Sequence, residues 1–209
     1  MSSLPLHQDL YLIAHDQAGK PLVHASSLAV GLAGAALLDL LLAGHVKVGS
    51  AGLTAEGQAI GDAVADGLLA MAAAGPDPRS LLKQASMGDV YGRVREGLLG
   101  SGVLVRVSRR RMGMLPYTRY ELADIASIVR ASSGVRSAVE GWKTPDARCA
   151  GLCGLVAVLR LESQLYLDQP AARLVTRLRE IAAAAAPPVG RLVETVDTLV
   201  GEAAVAVYR

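Results

Sequence analysis

Five arginines, Arg106, Arg109, Arg110, Arg111 and Arg119, fall within 14 positions of a chain whose formal net charge is only +2. Met112, Met114 and Leu115 stand directly beside the central triplet. Cations next to flexible apolar side chains suit an anionic membrane surface. Each Arg near such a surface gains about 1 kcal/mol from lipid phosphates, and the apolar groups can enter the headgroup region. The competing reading is a solvated turn with its Met side chains tucked inward. Two further cations, Arg93 and Arg95, lie ten or so residues upstream in helical text.

Other chemistry-bearing residues are scattered. His7, His15, His24 and His45 form no metal-ligand spacing, so each is expected to be a surface or capping residue. Cys149 and Cys153 sit one helical turn apart with no His near them, and read as small core residues. No nucleophile elbow, P-loop or dinucleotide fingerprint is present. No catalytic residue, metal or cofactor is therefore assigned, and the expectation is a protein that is not an enzyme. A helix over Val90–Leu99 followed by a basic hairpin resembles a winged-helix unit, with the hairpin as wing, and Leu37–Val48 followed by LTAEG has the same look. That nucleic-acid reading is the weaker one. Only Arg93 and Arg95 would charge the recognition helix, and Glu96 partly offsets them. A purely structural oligomerisation module is the third alternative.

The elements that must position these residues follow from composition and pattern. The chain has 209 residues, 52% of them apolar and only 3% aromatic, with no Phe. The core must be Leu, Val, Ala and Ile, a mixture that favours helix. Ser27–Val48 is nearly all apolar, with Asp39 as its one acid. It reads as a buried central helix over about 27–44, capped by Ser26 or Ser27, ending at Gly44 and turning into a short strand. Gly31 and Gly34 within it are expected to mark close helix packing. The stretch is near the length of a membrane span, but Asp39 costs roughly 3 kcal/mol at the centre of one.

Elsewhere, Leu4–Ala14 reads as a short helix or strand. Thr54 is expected to cap a helix to about Ala74. Asp77–Pro78 and Asp89 each start a helix. A hairpin is expected over about 103–117, with Ser108–Arg111 at its tip and Pro116 placing the return strand at an edge. Glu121–Ser132, Gly134–Trp142, Asp146–Leu167, Pro170–Ala186 and Val189–Tyr208 are the remaining helical segments, and Trp142 is expected to pack as an anchor at a domain edge. The expected architecture is mainly α: one helical bundle of residues 1–209 around the central helix, with a projecting β-hairpin. The N-terminal text lacks a signal-peptide pattern, so a reducing, cytoplasmic location is expected, peripheral to a membrane if the hairpin reading holds.

Four stretches in order, GLAGAALLDLLLAGHVKV (31–48), LTAEGQAIGDAV (53–64), VREGLLGSGVLV (94–105) and DARCAGLCGLVAVL (146–159), make the chain similar to the Golgi phosphoprotein 3 family. The resemblance spans roughly residues 5–208. It implies a helical bundle that binds phosphatidylinositol 4-phosphate as a peripheral membrane protein, with its hairpin serving membrane contact and self-association. Eukaryotic members use a Trp and an Arg near the start of the central helix, and two Arg before the hairpin, as headgroup ligands. Those positions hold His24, Ala33, Gly88 and Tyr91 here, so the chemistry is not retained residue for residue. The resemblance places the headgroup pocket at the N-terminal end of the central helix, around His24, Ser26 and Ser27, with Arg93 and Arg95 as replacement charge. It implies an anionic lipid or membrane surface and a second copy of the chain as partners.

Overall fold

A computed structural model describes residues 4–49, 52–111, 115–123 and 125–207, with the backbone alone at 109–111 and 115–117. The helix α2, Ala25–Leu42, is its centre. Thirteen of its 18 residues are buried, on every side of the helix, as expected of a helix that is apolar all round. Among the described residues it is the one helix long and apolar enough to cross a membrane, and most of it is enclosed by protein.

Six helices pack directly on α2: α1 (Leu6–Ile13), α3 (Ala63–Ala72), α4 (Pro78–Met87), α5 (Val90–Gly100), α7 (Ala147–Val158) and α9 (Pro187–Val207). Glycines set how closely two of them approach. A Cβ at Gly34 would lie 2.5 Å from Val196 of α9, and one at Gly31 would lie 2.7 Å from Leu159 just beyond α7. The expectation of close packing at these glycines is met. Two more helices, α6 (Ala126–Val139) and α8 (Ala171–Ala183), cover α7 and complete the layer. On α8 the buried residues Leu174, Val175, Leu178, Ile181 and Ala182 form one stripe at helical spacing. Each buried Leu or Val contributes about 1.5–3 kcal/mol.

Two antiparallel hairpins complete the described elements. The first pairs β1 (Val46–Gly49) with β2 (Gly52–Ala55). The second pairs β3 (Leu104–Arg111) with β4 (Leu115–Leu122), in register from Leu104 opposite Leu122 to Arg111 opposite Leu115. Being two-stranded, it leaves Pro116 on an edge strand, as expected.

Several local expectations are corrected. The cap of α2 is His24, not Ser26 or Ser27; its Nδ1 accepts from the Ser26 amide at 3.4 Å and lies 2.8 Å from the Ser26 hydroxyl. Thr54 caps nothing, because it lies in β2 opposite Lys47. The helix after it begins only where Asp62 can accept from Val64 and Ala65, at 3.0 and 2.9 Å. Ser108–Arg111 is strand rather than tip, and Met112 and Met114 lie outside the described residues. Glu121 continues β4 instead of opening a helix, and one helix, α6, runs through Gly134, where Cys149 packs against it. The 146–167 segment breaks at Arg160, whose φ is +57°, and ends in a short 3₁₀ turn over Glu162–Leu165. Trp142 is 77% exposed and so is not a packed anchor. Leu4–Ala14 resolves as helix.

Candidate anionic-ligand site at the hairpin base

On α5, Val94 and Leu98 face the core, which turns Arg95 toward the base of the β3–β4 hairpin. Its guanidinium lies over the Tyr120 ring of β4 at 4.2 Å and near the Tyr91 ring, one turn earlier, at 5.6 Å. Arg106, opposite Tyr120 in the ladder, approaches the same ring at 5.8 Å while pairing with Glu96 at 3.3 Å on the surface. Among the described residues Arg95 has no such acid. Its Nε is buried with no hydrogen-bond partner among the described residues.

Below the arginine, α1 contributes Tyr11 and His15, four residues apart on one helical face. Their rings stack at 3.9 Å, and Tyr91 closes the group at 5.4 Å from Tyr11. His15 Nδ1 is 2.6 Å from the Tyr11 carbonyl and must donate to it; Nε2 then accepts from the Tyr91 hydroxyl at 2.8 Å. Burial lowers the His15 pKa, which agrees with this neutral tautomer. Burial and the Tyr91 hydrogen bond push the Tyr11 phenol well above its ordinary value. The group is thus an uncharged aromatic bed under the Arg95 guanidinium, with the acid-paired Arg106 at its edge. Such an arrangement can hold an anion by charge-assisted hydrogen bonds from a cation already fixed in place.

The hairpin is clamped onto this bed. Gly19, with φ +73°, brings the 16–20 turn so close to β4 that a Cβ would sit 2.1 Å from the Tyr120 carbonyl. Arg119 Nε donates to the Ala18 carbonyl at 2.9 Å. Among the described residues, no group of three or more His, Cys, Asp or Glu side chains is placed to hold a metal ion.

On α5 the structure turns apart the two arginines that the sequence grouped. Arg93 is two positions from Arg95, so it points the opposite way, exposed against Gly67 of α3. No hydrogen bond or ring contact among the described residues joins His24, Ser26 or Ser27 to either arginine; His24 is exposed, Ser26 is half-buried, and Ser27 is buried. Ala33 is buried in the core and Gly88 ends α4. Side chains of Arg109, Arg110, Arg111 and Leu115 lie outside the described residues. Tyr11, His15 and Tyr120 escaped sequence reasoning; the four-residue spacing of Tyr11 and His15 was the available signal.

Two histidines correct the surface-or-cap expectation. His15 is the buried hub just described. His7 is 1% exposed, with Nε2 3.2 Å from Asp62. It borders a second polar group in which Arg148 of α7 reaches Asp39 of α2, the Leu4 carbonyl and, at 3.5 Å, Asp9 of α1. Asp39 also accepts from the Leu6 amide at 2.5 Å. Burial raises the pKa of both Asp9, to about 6, and Asp39, against the pull of Arg148.

The Golgi phosphoprotein 3 (GPP34) family model matches residues 6–197, nearly the whole chain. The chain belongs to this family. No curated protein matches it. Family membership accords with the helical bundle around one apolar helix and with the long hairpin.

Proposed function

We propose that this family member is a non-enzymatic peripheral membrane or adaptor protein that binds an anionic lipid headgroup at Arg95. In this reading the β3–β4 hairpin, with Arg109, Arg110, Arg111, Met112, Met114 and Leu115, lies on the membrane. The observation that carries it is the Arg95 guanidinium, held on Tyr120 with a buried, unsatisfied Nε. No acid among the described residues offsets the Arg95 charge, so an arriving phosphate can accept from its terminal N–H groups in charge-assisted hydrogen bonds. Family membership makes phosphatidylinositol 4-phosphate the first lipid to try. The loss of the family's own ligand residues makes other anionic phospholipids equal candidates.

Co-sedimentation with vesicles at low salt tests this. Wild type pellets with vesicles containing phosphatidylinositol 4-phosphate or phosphatidylglycerol, and not with pure phosphatidylcholine. Replacing Arg109, Arg110 and Arg111 together by Glu abolishes pelleting. If wild type ignores every anionic composition, the proposal fails.

A further inference from the structure

A cavity of about 300 Å³ opens beside the Arg148 cluster, and the headgroup reading does not use it. Ala36 and Leu40 of α2 and Ala65 of α3, all buried, give it apolar walls. Ala43 and Ile60, both exposed, form its lip. His7, Asp39, His45, Asp62 and Arg148 supply the polar lining. Small-ligand sites begin at roughly 300 Å³ and pair apolar walls with a few convergent polar groups.

His7 shows what is missing from it. The residue is 1% exposed, and neither ring nitrogen makes a hydrogen bond among the described residues. Nε2 does face the Asp62 carboxylate, at 3.2 Å, and a carboxylate only accepts, so the ring proton belongs on Nε2. Nδ1 is then a buried acceptor that no described donor reaches, and native proteins leave few of those.

Charge fixes the sign of the missing partner. Arg148 is the one permanent cation on the lining, and it is outnumbered. It reaches Asp39 and, at 3.5 Å, Asp9, while Asp62 adds a third carboxylate. Burial holds the Asp9 carboxyl up at about 6 and raises that of Asp39 too, against the pull of Arg148. Carboxylates in that state gain from a further cation nearby. An anion would meet the excess of negative charge, and a hydrocarbon would leave His7 Nδ1 without a donor.

We propose that this cavity binds a small primary alkylammonium ion. The ammonium donates to His7 Nδ1 in the field of the Asp39 and Asp62 carboxylates, and the alkyl body packs on Ala36, Leu40 and Ala65. The proposal does not depend on the assignment of Arg95.

The test is an NMR titration of the full chain, labelled with ¹⁵N-histidine, against butylammonium chloride, with sodium chloride as the ionic-strength control. At a pH of about 8 an ordinary imidazole is neutral and the amine, like a Lys side chain, is still protonated. The His7 Nδ1 resonance should move toward lower frequency and saturate. Butanol and butyrate carry the same chain without the positive charge, and should bind at least about tenfold more weakly. Asp62→Asn keeps a good helix cap and should weaken the amine about tenfold. Ala43→Trp, at the exposed lip, should close the cavity and abolish binding; it decides the matter alone should Asp62→Asn fail to fold. A His7 resonance that the amine does not move, equal affinity for the three probes, a preference for butyrate, or full affinity in Ala43→Trp overturns the proposal.

Discussion

Arg148 and Arg95 are both half-buried on helices around the same core, and they are treated in opposite ways. Arg148 is saturated: two carboxylates and a backbone carbonyl surround it, and it ties α7 to α1 and α2. Arg95 is given aromatic faces and, among the described residues, no acid, and one of its donors is left unused by them. A fold that needs a cation for its own stability supplies the counter-charge. One that holds a cation on neutral rings leaves the counter-charge to come from outside. In the proposed reading the first arginine belongs to stability and the second to binding, and substitutions should separate them.

The largest expected effect is on the saturated side. Arg148→Met strands Asp9 and Asp39 and should cost roughly 4 kcal/mol, read as a lower urea midpoint, with vesicle binding of the remaining folded protein unchanged. Next comes the pH dependence of the same cluster. The Asp9 carboxyl is raised from 3.8 to about 6 in the folded protein. The folded state thus holds this proton more tightly, and the stabilisation it gives is complete below about 3.8 and lost as pH rises through about 6. Asp9→Asn should remove that decline, on the order of 3 kcal/mol, seen as a flatter plot of unfolding free energy between those pH values. Asp62, whose carboxyl is held low by His7 and its helix-capping bonds, works in the opposite sense and loses its contribution as pH falls.

A smaller effect sharpens the binding side. Tyr120→Leu removes the ring under Arg95, worth about 0.5–1 kcal/mol, so vesicle affinity should fall about two- to fivefold, and the Arg95→Met change should then add less than it does in wild type. Trp142→Ala is the control. Being 77% exposed, it should change stability by under about 0.5 kcal/mol in the same urea titration.

The contrast also explains what the sequence could and could not reveal. Apolar runs and caps declare themselves locally, so α2, the Asp77 and Asp89 caps and the hairpin were legible. Arg93 and Arg95 were legible as charges but not as opposite faces with different neighbours. The cluster under Arg95 draws on α1, α5 and β4, with Tyr11 and Tyr120 more than a hundred residues apart, and no local pattern announces such a meeting. Arg148 was hidden in the same way, since Asp39 stood out as the lone acid of α2 while its partner lies on α7. Thr54 and Glu121 misled because their side chains suit a helix start as readily as a strand, and cross-strand pairing decided the matter.

One titration tests the central claim most directly: wild type and Arg95→Met against the same anionic vesicles, with urea unfolding of both. A charge-assisted hydrogen bond to a phosphate is worth about 1.5–3 kcal/mol, so the variant should bind at least about tenfold more weakly while unfolding near the wild-type midpoint. Equal vesicle affinity in the two proteins would contradict the assignment of Arg95 to an anionic ligand.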